Sequence, residues 1–404
     1  MRIVFSILIC SSILSAQPEL YSWMRNTTGL TGYNGITANV DSVVYSGNYV
    51  YVRASGIPAY TIGPWPGNPN TPTDQKYLFK FSRSAQQNNG TKTSTPLGHI
   101  GMFINGVAVY NALDAVSYNN QNIWHQDAVY VEAPSFDAVN GHPAPGGRYH
   151  HHQNPKGLYV DDSTKHSPIL GFGFDGFPIY GPRGYKNSDG TGGIIRMTSS
   201  YRLQSITTRT NGPNVGAQYP LGYYVEDYEY VSGLGTLDEY NGRFTKTPEY
   251  PNGTYAYFTT IDGNGKSVYP YLIGPKYYGI ASTENFQVTQ VTLSEPAIKY
   301  NGPTVSAKLG DDDLPKTFSL FQNYPNPFNP ATTIQFAVPR TNSEHITLKV
   351  FNVLGVEIET LFDGRLSEGV HTISFKPRLI SSGIYYYTLR SDGFVETKRM
   401  VLLK

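Results

Sequence analysis

Cysteine is nearly absent: Cys10 is the single thiol in 404 residues, and it falls in a stretch that reads as a cleaved leader. Without that stretch the chain has no disulfide, no thiol nucleophile and no thiol-bound cofactor or metal. Charge is scarce as well, with 15% of residues charged and a formal net of +1. So small a balance argues against a nucleic-acid binder, which carries a basic surplus. Low charge beside 14% aromatic residues excludes a disordered chain. Long apolar runs are missing after the first 16 residues, so no transmembrane anchor is expected in the mature chain. Sustained helical periodicity is missing too, and 41 Gly with 28 Pro exclude a coiled coil. The Gly-x-Ser-x-Gly elbow, the His-Glu-x-x-His helix and the Walker loop are absent. Gly171, Gly173 and Gly176 spell Gly-x-Gly-x-x-Gly, but Pro178 follows too soon for a helix to start, so no nucleotide cofactor is expected.

What remains is a β-type sequence. Short runs rich in Tyr and Val, such as Val43–Tyr45, Tyr49–Val52, Ala128–Val131 and Tyr255–Phe258, alternate with Gly, Pro and Asn. Such residues suit a half-buried pleated surface. The 33 Tyr would also suit a surface that binds sugars or other polymers.

The chain divides into four stretches. Residues 1–16 read as a signal peptide, with Arg2, an apolar run from Ile3 to Leu14, and small Ser15-Ala16 before Gln17. Residues 17–295 form the body. Residues 296–314 are rich in breakers, with Pro296, Gly302, Pro303 and Gly310-Asp311-Asp312-Asp313, and read as a solvated linker. Adjacent Asp residues without further ligands at loop spacing do not make a calcium loop. Residues 315–404 form the tail.

In the tail, Ile334, Phe336 and Val338 alternate with polar or small residues, as do Ile346, Leu348 and Val350. Val356, Ile358 and Thr360 continue the pattern, followed by Ile373 with Phe375, Tyr385 with Tyr387, and Met400 to Leu403. About seven strands in so short a stretch fit a small immunoglobulin-like β-sandwich. Turns are expected at Asn352–Gly355, Asp363-Gly364 and Asp392-Gly393. The tail carries ten basic and seven acidic residues, whereas residues 17–314 carry 20 and 23.

Four ordered motifs give the tail a family resemblance. They are Phe318–Pro330 with its Asn-Tyr-Pro-Asn-Pro-Phe-Asn-Pro core, Val350-Phe351-Asn352-Val353-Leu354-Gly355, Ser382–Tyr387, and Lys398–Lys404. The stretch from Leu314 to Lys404 resembles the type A C-terminal sorting domain of the type IX (Por) secretion system. The resemblance implies that residues 315–404 are read by that machinery, after the leader has carried the chain across the inner membrane. It implies export to the cell surface or the medium, commonly with removal of the domain. It also implies a Gram-negative source such as a member of the Bacteroidetes.

Histidine is concentrated in the body. Seven of the nine His lie between His99 and His166. Neutral imidazole is the commonest protein metal ligand and a frequent general base. The sharpest feature is Arg148-Tyr149-His150-His151-His152 after Gly146-Gly147. In a strand, His150 and His152 share a face about 7 Å apart, while His151 points the other way. His142, just past Asn140-Gly141, supplies a third nitrogen, and with it a metal or catalytic role outweighs a packed histidine surface.

The body has a resemblance of its own. Phe136–Pro143 leads into Tyr149-His150-His151-His152, preceded by Gly98–Val107 and followed by His166–Gly181, Gly253–Phe258 and Tyr269-Pro270-Tyr271. Together these resemble the YHYH domain over residues 39–279. His151 stands where the signature has Tyr, and Val139 lies where a Cys often precedes the Gly-His, so any site works with N and O donors. The resemblance implies a domain and a site without a reaction.

Copper or zinc is the expected ion, held by His142, His150 and His152, with Asp175 and His99 assisting. His125, His166, Asp114 and Asp137 are weaker candidates, and Asp262–Gly265 reads as a hairpin turn. Three roles stay open: a metal-binding surface module, a metal-dependent hydrolytic or oxidative enzyme, and an adhesive or polymer-binding scaffold whose histidines only bond the strands.

Overall fold

The structure, a computed structural model, describes residues 17–301, 317–323, 326–339, 345–366, 369–377 and 380–403. The leader with Cys10, the Asp311–Asp313 run and most of the linker lie outside the described residues. Two compact units emerge, Pro18–Leu309 and a unit built on Gly310–Lys404. Both are mainly β. Among the described residues no helix is long and apolar enough to cross a membrane.

The body is built on two sheets. A four-stranded antiparallel sheet has the order Ile298–Lys299, Val40–Tyr45, Tyr49–Ala54, Tyr77–Ser82. An eight-stranded sheet runs Gly242–Thr245, Thr254–Phe258, Pro178–Tyr180, Ile169–Gly173, His99–Phe103, Ala108–Tyr110, Arg148–His151, His142–Ala144. Most neighbours in it are antiparallel, and parallel pairing joins Pro178–Tyr180 to Thr254–Phe258 and Ala108–Tyr110 to Arg148–His151. Aromatic side chains from the two sheets fill the core. Phe79 meets Phe174 with ring centres 5.1 Å apart, Phe81 meets Phe172 at 6.5 Å, and buried Trp23 touches Phe81 and Phe172 at 5.2 and 5.3 Å.

The abundant Tyr serves this core. Tyr149, Tyr180, Tyr255, Tyr257 and Tyr271 are buried. Their hydroxyls donate to Asp137 (2.9 Å), Glu249 (2.9 Å), Asp238 (2.8 Å), Asp175 (2.6 Å) and Asp127 (2.6 Å). A buried phenol needs an acceptor, and a buried carboxylate needs donors, so each pairing satisfies two groups at once. These five tyrosines are interior struts, not part of a polymer-binding face.

One expected strand is a helix. Ala128–Val131 forms a short helix because the side chain of Asp127 caps it, accepting from Val129 N at 2.9 Å and Tyr130 N at 3.4 Å. The cap satisfies helix N-terminal donors that a β reading leaves unassigned.

The tail is a β-sandwich of seven strands among the described residues. A three-stranded sheet of Ser319–Leu320, Thr332–Val338 and Gly369–Phe375 accompanies a four-stranded sheet of Glu357–Arg365, His345–Asn352, Gly383–Ser391 and Phe394–Leu402. Leu320, Ile334, Phe336, Val338 and Phe375 of the first join Ile346, Leu348, Val350, Tyr387, Leu389, Met400 and Leu402 of the second in one buried cluster. The alternation that fits this core is the one visible in the sequence. Asp363-Gly364 is not a turn: both residues stay in the ladder, opposite Thr347 and Ile346.

The strands His142–Ala144 and Arg148–His151 form a hairpin turning through Pro145-Gly146-Gly147. Gly146 and Gly147 both have positive φ, +80° and +75°. A Cβ at Gly146 meets nothing within 4 Å, whereas one at Gly147 falls 2.4 Å from Thr73 Oγ1 and 2.7 Å from Thr71 O. Gly146→Ala is therefore expected to cost only the left-handed backbone penalty of about 1–2 kcal/mol. Gly147→Ala is expected to cost about 1–3 kcal/mol more, because of overpacking. Urea denaturation of the two full-length variants checks the ranking, and equal losses would refute it.

Candidate metal centre

The hairpin is positioned from its first turn. Asp137 Oδ1 accepts from Val139 N at 3.1 Å and Gly141 N at 2.9 Å. Its Oδ2 accepts from Gly63 N at 2.9 Å, Trp65 Nε1 at 3.1 Å and Tyr149 Oη at 2.9 Å. This carboxylate fixes the residue before His142 and the one before His150. Gly141 has to be glycine, since a Cβ there would lie 2.1 Å from Tyr149 Oη.

The ladder then sets His142 directly opposite His150. Cross-strand partners share a sheet face, and so do residues two apart, so His142, His150 and His152 converge. All three are buried, at 2–3% exposure. One nitrogen from each lies within 4.8 Å of the others. Nε2 of His150 is 3.1 Å from Nε2 of His142 and 2.9 Å from Nε2 of His152.

The outer nitrogens decide the tautomers. His150 Nδ1 faces Arg148 O at 2.9 Å, and His152 Nδ1 faces Asn111 O at 2.6 Å. A carbonyl only accepts, so both Nδ1 atoms carry the proton. His142 Nδ1 faces Ser135 Oγ at 2.7 Å, and that hydroxyl already donates to Glu132 O at 2.9 Å. Its one proton is used, so His142 Nδ1 is also the donor. In each neutral ring the Nε2 lone pair is then bare. The two short Nε2 contacts then set lone pair against lone pair, an arrangement that a shared cation would relieve. Outer hydrogen bonds of this kind are what orient metal-binding imidazoles.

Burial also disfavours a proton as that cation. It pulls His142 down to about 3, with His152 and His151 adding to the effect. Burial holds His150 well below its usual range and takes His152 to about 4. Tyr110 stacks on His150 at 3.8 Å, and Phe136 covers His142 at 4.5 Å.

Sequence reasoning missed Glu132. It follows the short helix, and its Oε2 lies 3.5 Å from His142 Nε2 and 3.4 Å from His152 Nε2. That oxygen is buried and takes no hydrogen bond. Burial pushes the carboxyl up to about 8, helped by the charge of Asp114. The Asp127 cap, visible in the sequence, is the signal that turns the chain here and could have found it.

Asp175 and His99 stand apart from the triad. Asp175 Oδ2 accepts from Tyr257 Oη at 2.6 Å and Gly279 N at 2.9 Å in the hairpin before Pro178. His99 Nε2 bonds to Asn285 O at 2.8 Å, and its ring packs among Phe79, Tyr77, Phe174 and Tyr110. His151 points to the opposite face, where Nδ1 donates to Asn140 O at 2.8 Å and Nε2 meets Tyr60 Oη at 3.3 Å. His166 bonds to Ser167 O at 2.8 Å. His125 Nδ1 lies 2.5 Å from Glu226 Oε1 beside a cleft of about 360 Å³ that is also lined by Asn111, Tyr201, Tyr228 and Tyr269.

The fold and the centre define a mainly β protein in two parts, a body holding a buried three-histidine cluster and a compact β-sandwich tail. Comparison with family models finds a match within each part. Residues 78–268 match the family described as YHYH protein, and residues 322–403 match the secretion system C-terminal sorting domain. The chain thus combines a YHYH region, which contains the whole triad and Glu132, with a type IX sorting domain. That domain directs export to the cell surface or extracellular space and implies contact with the secretion machinery. No curated protein and no solved structure matches the chain.

The isolation of Asp175 yields a test. Burial raises its carboxyl to about 6, against partly offsetting bonds from Tyr257 and Gly279. The folded state therefore holds a proton that the unfolded chain has released. This stability contribution is complete below about pH 4 and falls by up to about 3 kcal/mol as pH rises through 6. Asp175→Asn is expected to flatten the pH 4–6 slope of unfolding free energy and leave metal content unchanged. An unaltered slope would contradict the first expectation, and lost metal the second.

Proposed function

We propose that the body binds one transition-metal ion, copper or zinc, through Nε2 of His142, His150 and His152, and carries it outside the cell. Three bare imidazole lone pairs, held 2.9–3.1 Å apart along the chain His142–His150–His152 by fixed outer hydrogen bonds, support this reading. Three neutral nitrogens suit a borderline divalent cation and do not suit calcium or magnesium, which take oxygen. In this reading residues 1–16 are the signal peptide, 17–295 the working body, 296–314 a linker and 315–404 the detachable address.

A catalytic version has one observation in its favour. The 360 Å³ cleft shares Asn111 with the centre, because the Asn111 carbonyl holds His152. A small molecule in the cleft would lie one residue from a metal ligand, as a metal-dependent hydrolase or oxidase requires.

Elemental analysis of untagged full-length protein is expected to give one copper or zinc per chain. His150→Ala/His152→Ala is expected to hold none, and an unchanged content would sink the proposal. Ser135→Ala removes the acceptor for His142 Nδ1–H together with the hydroxyl's bond to the Glu132 carbonyl. It should weaken metal binding about 10–100-fold, read by competition with a chromogenic chelator.

A further inference from the structure

Glu132 brings a further unpartnered polar atom to the centre. Its Oε2 is buried without a hydrogen bond, 3.4 and 3.5 Å from two imidazole nitrogens that have no proton to offer. A carboxylate oxygen beside two lone pairs is repelled by both unless a proton or a metal cation lies among them, and 3.4–3.5 Å is longer than the hydrogen bond a protonated carboxyl would make to an imidazole nitrogen. Glu132 is also tied to the triad through its backbone, since its carbonyl accepts from the Ser135 hydroxyl that orients His142. The side chain is 30% exposed overall, so it reaches the centre from the solvent side.

The four donors follow one another round a ring. His150 lies between His142 and His152, at 3.1 and 2.9 Å. Glu132 closes the opposite side, at 3.5 and 3.4 Å. With metal–nitrogen bonds of about 2.0–2.1 Å, neighbouring donors stand about 2.9 Å apart in a square and about 3.3–3.4 Å apart in a tetrahedron. The two nitrogen–nitrogen sides have the spacing of the square and the two oxygen sides, at 3.5 and 3.4 Å, that of the tetrahedron. The ring centres of His142 and His152, 5.6 Å apart against 4.6 and 4.7 Å for the adjacent pairs, lie between the two limits, so the ring is a distorted square.

We infer that Glu132 is the fourth donor, and that the ring of three nitrogens and one carboxylate oxygen is a tetragonal site for copper(II). This rests on the triad reading above and adds the missing ligand and the identity of the ion. Tetragonal N/O coordination is the geometry of copper(II) and nickel(II), and copper(II) is the tighter binder of the two. The carboxylate halves the charge of the buried ion, and the absence of sulfur disfavours copper(I).

The test uses full-length apoprotein titrated with copper(II) and followed by electron paramagnetic resonance. The expected result is one axial copper signal per chain with splitting from three nitrogens. Glu132→Gln keeps the size of the side chain and removes its charge. It is expected to weaken copper binding about tenfold or more and to shift the axial signal, with thermal unfolding of the apoprotein unchanged. If Glu132→Gln does not fold, Glu132→Asp, which keeps the charge and shortens the reach, is expected to give the same shift. Unchanged affinity and spectrum in the folded variant would remove Glu132 from the ligand set while leaving the triad reading intact. Intense tetrahedral bands in the cobalt(II)-loaded wild type would overturn the tetragonal geometry, again without touching the triad. Failure of copper, zinc and cobalt alike to bind would overturn the inference and the triad reading together.

Discussion

The carboxylate of Asp137 is the constraint on which the histidine hairpin depends. Five donors reach it, from Gly63, Trp65, Val139, Gly141 and Tyr149, and they come from three separate parts of the body. With those bonds made, His142 must leave the turn where it does and Tyr149 must point away from the centre. His150 and His152 then point into it, because a strand gives alternate residues opposite faces. The three histidines owe their convergence to a residue that touches none of them.

The same device recurs through the body. Tyr hydroxyls on carboxylates appear at buried Asp127, Asp175 and Asp137 and at half-buried Asp238. A secreted protein without disulfides needs interior polar contacts that survive without covalent help. Each pair sits in a different loop or turn and anchors it to a strand of the main sheet or to its neighbours. At Asp127 the same carboxylate also caps the helix that delivers Glu132.

Much of this was legible in the sequence, for identifiable reasons. The tail reads well because its strands bury one face, so alternation is enforced residue by residue. His150 and His152 read well because a period of two is local. His142 was reachable because a Gly-Gly turn limits how two short strands can pair. Glu132 was hidden because Ala128–Val131 has β-type composition, and only the Asp127 cap makes it helical. Asp175 and His99 were expected to assist the centre. Long-range bonds, to Gly279 and Tyr257 for one and to Asn285 for the other, use their polar atoms elsewhere. No local pattern reports contacts across so many residues.

Trp65 has a further consequence. Its indole N–H bonds to Asp137 and to the Gly141 carbonyl at 3.2 Å, and its ring lies 6.0 Å from that of Tyr149. Of the three tryptophans, it is the one bonded to the turn that launches the hairpin. Nature has therefore placed a fluorophore on the back of the centre, so its emission reports on the hairpin without any label.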